Sequence, residues 1–280
     1  MHPVSLLILS CFLFSVLAVL IKFTSLLIHP IEQAFFRNIL GVLLLLPFFL
    51  KQNSFINKKS NLRLLFLRAC FGGITMILIF TSYTMIPISQ AIAISFSTPL
   101  FIYFGSIFFF NETPDKQKTF LMVIGFILTI IITRPDLEIQ IGTVLALISS
   151  ITHAIAGLLV KKISKSESIF TLMFSLVILM TPITFIPSIF VWENPMNPLT
   201  LSLLISIAII ATFGNYFWTK AISLSKLTNL MPFDFSKLIF ASILSFLFFN
   251  EKIDLVTSLC GTGLIICNTI MAKKIKNEKV

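Results

Sequence analysis

The stretch Met231-Pro232-Phe233-Asp234-Phe235-Ser236-Lys237 sets a carboxylate and an ammonium three residues apart. On a helix that spacing puts both on one face, where they can meet. Pro232 removes a backbone donor just ahead of them and weakens the ladder there. The pair lies in an apolar run from about Leu230 to Phe249. At the centre of a helix in hydrocarbon each charge costs about 2.5–3.5 kcal/mol on insertion scales. Such charges persist where they pair, face a bundle interior or line a wet cavity, and by default they mark a functional site. The plainer alternative is a self-neutralising pair that only fixes helix packing. The chemistry on offer is reversible ion exchange. Asp234 can meet a cation and Lys237 a carboxylate, so a zwitterion replaces each partner's contact with the other at low net desolvation cost.

Further polar groups fall inside apolar runs. Gln90, Ala93 and Ser97 share one helix face at three- and four-residue spacing. Pro99 leaves the carbonyl of Ser95 without its helical partner, free for water or ligand. Asn215 and Trp218 share another face; the amide can bond a polar group while the indole stacks on a flat or cationic one. His153 can titrate near neutral pH, although a lone histidine is more often a packing residue. Arg68 reads as an anchor at the inner interface, and Lys22 as a side chain that snorkels outward.

The composition decides what positions these groups. The chain has 280 residues, 57% of them hydrophobic and 11% charged, with 31 phenylalanines. A soluble domain of that length cannot hide so much apolar surface. Continuous runs of about 20 apolar residues are helical spans, not the alternating segments of a barrel. The fold class is an all-α polytopic membrane protein of ten spans. They run at about Pro3–Leu27, Ile31–Leu50, Arg63–Met85, Ile88–Phe110, Lys118–Thr133, Ile141–Val160, Ser168–Val191, Leu199–Ala221, Leu230–Phe249 and Leu255–Ala272. Pro182 and Pro187 break the seventh. Thr113-Pro114-Asp115 starts the fifth, with Thr113 as N-cap. Glu112 and Glu251, each after an asparagine, close helices as caps. With both termini cytoplasmic, fifteen basic residues fall inside and two outside, a strong positive-inside bias.

The net charge of +10 is scattered between apolar runs and is no nucleic-acid signal. Cys11, Cys70, Cys260 and Cys267 lack metal-ligand spacing. No nucleotide loop, zinc motif or nucleophile constellation is present, so neither ATP nor a cofactor or metal is expected to drive the protein. Three histidines at positions 2, 29 and 153 argue against an embedded enzyme, and the buried pair argues against an inert scaffold.

The two halves, 1–134 and 140–280, resemble each other at a fixed separation of 139 residues. Phe110-Asn111-Glu112 pairs with Phe249-Asn250-Glu251, Lys22 with Lys161, and Ser10 with Ser149. Each half holds five spans, an odd number, so the second enters the membrane inverted. Inverted repeats are a mark of carriers that alternate access around a midplane site.

Ala34-Phe35-Phe36-Arg37, Leu67-Arg68, Ser97-Thr98-Pro99-Leu100-Phe101 and Pro232-Phe233-Asp234-Phe235, with the two Phe-Asn-Glu motifs, resemble the drug/metabolite transporter superfamily, EamA-like branch. The first half looks most like the S-adenosylmethionine uptake carriers of intracellular bacteria. The resemblance implies an inner-membrane permease with a cavity lined largely by spans one, three, four, six, eight and nine. Arg37 matches a family position, which makes Glu32 and Arg37 a structural or gating pair. The expected function is secondary transport of a small polar or zwitterionic metabolite, S-adenosylmethionine uptake first. The substrate site is expected at Gln90, Ser97, Asn215, Trp218, Asp234 and Lys237. The runner-up is an exporter of amino acids or drugs that relies on the many phenylalanines. A membrane-embedded enzyme and a non-transporting scaffold are the remote readings. The expected partners are the cargo and the bilayer, and a homodimer is compatible with them.

Overall fold

The computed structural model describes residues 2–50, 62–86, 91, 94–95, 97–113, 115–133, 140–195, 197–249, 255, 259–260, 262–263, 265–267 and 269–270. Among them all regular structure is helical: α1 (Pro3–Thr24), α2 (Pro30–Leu50), α3 (Leu62–Met85), α4 (Ser97–Phe110), α5 (Lys116–Thr133), α6 (Ile141–Ile163), α7 (Ile169–Ser188), α8 (Pro198–Leu224) and α9 (Ser236–Phe249). Seven stretches among the described residues are long and apolar enough to cross a membrane. The protein is therefore a multi-pass membrane protein.

Local chemistry fixes the helix starts. Asn197 Oδ1 accepts from the Leu199 amide at 3.0 Å with Pro198 in the first turn, and Ser168 Oγ accepts from Thr171 at 3.1 Å. Asp115 Oδ1 takes the amides of Gln117 and Lys118 at 2.8 and 3.0 Å, so Asp115 caps α5 and Thr113 does not. The expected break in the seventh span is also absent. α7 runs through Pro182 and Pro187, and a single 3-10 turn, Ile189–Val191, follows it. Hydroxyls of Thr181, Thr184 and Ser188 bond back onto carbonyls of the same helix, the kind of compensation that lets membrane helices keep proline.

The bundle buries charge and exposes hydrocarbon. Phe190 is 84% exposed and Phe108 80%, whereas Glu32, Arg37, Arg68 and Asp234 are buried. That ordering suits a lipid solvent. α1 packs along α8, α3 along α6 and α2 along α7, while α1 also meets α9 and α4 meets α6. Small groups allow the close approaches. Ser10 Oγ donates to the Gly214 carbonyl at 3.0 Å, and a Cβ on Gly125 would stand 2.7 Å from the Phe235 ring.

The ninth span is not one helix. A lone α-turn, Leu227–Leu230, leads into a 3-10 segment, Met231–Phe235, and only then into α9. Pro232 cannot donate, and the surrounding protein satisfies the irregular backbone. Glu112 takes the amides of Leu227 and Thr228 at 3.2 and 3.0 Å. Lys161 Nζ donates to the carbonyls of Ile222 and Ser225 at 2.9 and 2.5 Å, closing the end of α8. Lys118 Nζ donates to Asn229 Oδ1 at 2.9 Å. Glu112 is thus a cap, but for a helix start 115 residues away. Asn111, with φ of 51°, makes the turn that aims it; asparagine tolerates that conformation better than most residues. Glu112→Ala leaves two buried amides unpaired. It should destabilise the purified protein by about 1–3 kcal/mol, read as a lower melting temperature in detergent, with Glu112→Gln losing less.

Candidate functional site

A central cavity of about 170 Å³ opens between the helices. Its wall combines Phe14, Leu17 and Ile21 of α1 with Arg68, Thr75, Met76, Ile79 and Tyr83 of α3. Ser149, His153 and Val160 of α6 and Asn215 and Trp218 of α8 continue it, and Ser95, Thr98 and Lys237 supply the fourth and ninth spans. Arg37 on α2 and Leu176 and Met180 on α7 also reach it. All six expected spans contribute, and the second and seventh join them.

The 3-10 segment places the ion pair. Asp234 is its fourth residue and Lys237 the second residue of α9, so the break turns both inward. Lys237 Nζ stands 3.4 Å from Asp234 Oδ2, longer than the roughly 2.7–2.9 Å of a tight charged hydrogen bond. The ammonium also lies 5.6 Å from the centre of the Phe14 ring. Asp234 Oδ1 accepts from Cys11 Sγ at 3.5 Å. Lys237 lines the cavity, while Asp234 sits behind it, off the wall. Ser15 Oγ donates to the Lys237 carbonyl at 3.0 Å and fixes the register of α9 on α1.

Trp218 and Asn215 both face the cavity. The indole lies 5.5 Å from the His153 ring, and Asn215 donates to the Ala211 carbonyl at 2.9 Å. These aromatic planes beside an ammonium suit a ligand with a flat ring and a carboxylate. Ser97 is brought elsewhere: its hydroxyl donates to the Ile94 carbonyl at 2.7 Å and it is not on the cavity wall. Gln90 and Ala93 lie outside the described residues.

Glu32 and Arg37 serve different neighbours. Glu32 Oε2 accepts from the Glu193 amide at 2.9 Å, next to Trp192, which packs on Phe35 and Phe36. Its Oε1 has no partner among the described residues. Arg37 donates to Asn38 Oδ1 at 2.7 Å, and Asn38 donates to Thr184 Oγ1 at 3.1 Å. Arg68 is no rim anchor; it lines the cavity and donates to the Leu172 carbonyl at 2.7 Å.

Sequence reasoning gave Ser95 only a free carbonyl and passed over Thr98 as a wall residue. The 139-residue separation carries the signal, because it maps Asp234 onto Ser95 and Lys237 onto Thr98. It also maps His153 onto Phe14, Asn215 onto Met76 and Trp218 onto Ile79, all wall positions.

Membrane-crossing helices that surround an internal cavity with a buried charge pair define a multi-pass membrane transport protein. The sequence pattern of the EamA-like transporter family matches residues 2–134 and again 140–272, and the chain belongs to that family. It is 27% identical to the S-adenosylmethionine uptake transporter of Rickettsia bellii (strain RML369-C), over 94% of this chain and 91% of that one. It is 24% identical to the pseudopaline exporter CntI of Pseudomonas aeruginosa, over 96% and 95%. Solute carrier family 35 member G1 of Mus musculus is 27% identical over 87% of this chain and 71% of its own. One solved crystal structure shares the fold, with a TM-score of 0.80 over 99% of this chain and 98% of its own at 11% identity.

The wall assignment predicts thiol reactivity. In a background whose four native cysteines are serines, Ser95→Cys should react with a water-soluble thiol reagent on the order of tenfold faster than Ser97→Cys. Equal rates would move the cavity boundary.

Proposed function

We propose that the protein is a secondary carrier that takes up an S-adenosylmethionine-like zwitterion across a bacterial inner membrane. The observation that carries this reading is Lys237, loosely held by Asp234 and exposed to a cavity that Trp218 and His153 also line. A cargo carboxylate draws the ammonium away from Asp234. The freed aspartate then faces the cargo's cationic end, and the indole stacks on its ring. Each charge exchanges one partner for another, so binding stays reversible. Asn215 and Thr98 orient the polar groups, with Gln90 as a further contact.

The architecture proposed for this function is ten spans in two inverted five-span halves, 1–134 and 140–280, with both termini cytoplasmic. Helix pairing supports it. Exchanging α1 with α6, α2 with α7, α3 with α8 and α4 with α9 turns the α1–α8 contact into α6–α3 and the α1–α9 contact into α6–α4. The same exchange leaves α2–α7 unchanged, and all of these contacts occur. The two family matches fall at nearly the same separation. Glu32 at the outer end, tied to the chain after α7, and Arg37 then act as gate or frame. The cargo and the bilayer are the partners, no cofactor is required, and a homodimer fits the same architecture.

The likeness to the Rickettsia uptake transporters favours import, and the likeness to the Pseudomonas exporter supplies the second reading, export. Proteoliposomes loaded or bathed with labelled S-adenosylmethionine separate the two by direction of net flux. Lys237→Gln should raise KM on the order of tenfold and Asp234→Asn should lower the rate by a comparable factor. If both variants insert normally and carry the cargo at the wild-type rate, the pair is packing. Reporter fusions after Lys165 and after Glu193 should report opposite sides, cytoplasmic for the first; the same side for both removes the span count.

A further inference from the structure

Two cations in the cavity wall have no part in the exchange described above. Arg37 is 6% exposed and Arg68 3%. Each commits a guanidinium N–H to a neutral acceptor, Arg37 to Asn38 Oδ1 and Arg68 to the Leu172 carbonyl, both at 2.7 Å. Among the described residues neither meets a carboxylate; the ion pair there is Lys237 with Asp234. The wall therefore carries three cations against one carboxylate that stands behind it. Burying a guanidinium without a counter-ion costs several kcal/mol. Packing alone gives no reason to keep two of them facing a cavity.

Their placement adds a second observation. Arg37 is braced through Asn38 on Thr184, and Arg68 on Leu172. Both braces are on α7, twelve residues apart, roughly 18 Å at 1.5 Å per residue. The two guanidiniums therefore reach the cavity at different depths. Arginine keeps its charge where lysine can shed it, and its planar fork matches a carboxylate through two parallel bonds.

We propose that Arg37 and Arg68 are two carboxylate stations at opposite ends of the transport route, between which the cargo's carboxylate passes by way of Lys237. The inference rests on the central cavity being the route, and it narrows the cargo to molecules that carry a carboxylate. The second station exists because the first is left behind when access alternates. A cation lacking a carboxylate meets three like charges and is rejected.

Two measurements test this. In counterflow into proteoliposomes, wild type should carry S-adenosylmethionine and reject its decarboxylated analogue. Arg37→Gln and Arg68→Gln should each raise KM for S-adenosylmethionine about tenfold, with Arg37→Lys and Arg68→Lys intermediate. Unchanged KM in both Gln variants, or equal carriage of the analogue by wild type, overturns the proposal. The second measurement needs no cargo. Potassium acetate exchanged for chloride at constant ionic strength should raise the melting temperature of the purified protein, and each Arg→Gln variant should lose part of the rise. A phosphate arm separates carboxylate recognition from general anion binding: a rise equal to that in acetate overturns the carboxylate assignment. If wild type carries no S-adenosylmethionine, the cargo reading falls while the acetate arm still decides. No rise in wild type, or the same rise in both variants, overturns the stations.

Discussion

A helix broken inside hydrocarbon exposes amides and carbonyls that lipid cannot satisfy, so the protein must supply every partner. The ninth span meets that constraint at its Leu227–Phe235 stretch. Glu112, from the link after α4, takes two of its amides, and Lys161 of α6 closes the carbonyl end of α8 just before it. Cys11 and Ser15 of α1 bond the backbone at Asp234 and Lys237. Because the backbone is held this way, Lys237 reaches the cavity wall with Asp234 directly behind it. Three elements distant in sequence converge on one irregular stretch, and beyond it Lys237 joins the cavity wall.

The cavity is built from corresponding positions with unlike chemistry. Where the second half presents His153, Asn215, Trp218 and Lys237, the first presents Phe14, Met76, Ile79 and Thr98. One side offers an apolar, aromatic surface and the other the polar contacts. The arginines reverse this: Arg37 and Arg68 belong to the first half, and the positions 139 residues on are Leu176 and Ile207. A shared frame thus carries a division of labour, with cations on both sides and a single carboxylate.

The multi-pass helical class and the charge pair were legible because hydrocarbon punishes polarity, and a lone acid and base in a 20-residue apolar run stand out. What depends on tertiary partners was not. Pro232 marked a weak point, but nothing local said that the chain would pass through a 3-10 segment, since that depends on Glu112 being in place. Thr113 and Asp115 both suit an N-cap, and it is Asp115 that takes the amides of Gln117 and Lys118. Ser97 and Ser95 differ by two positions, roughly 200° around a helix, so choosing one face excluded the other. The internal repeat resolves that choice once it is applied to Asp234. Arg68 was read as a rim residue from its place five residues into a span; packing by α6 and α7 buries it.

The pairing of α1 with α8 and of α3 with α6 also has a consequence for biogenesis. Ser10 finds its acceptor, the carbonyl of Gly214, 204 residues later in the chain. At ribosomal speeds of about 5–20 residues per second, the early helices wait roughly ten seconds or more in the bilayer before those partners emerge. During that interval Arg68 lacks its α7 acceptor, Asn38 beside Arg37 lacks its α7 brace, and neither arginine has the packing that buries it. The polar faces of the N-terminal helices therefore stay incompletely packed until α7 and α8 arrive.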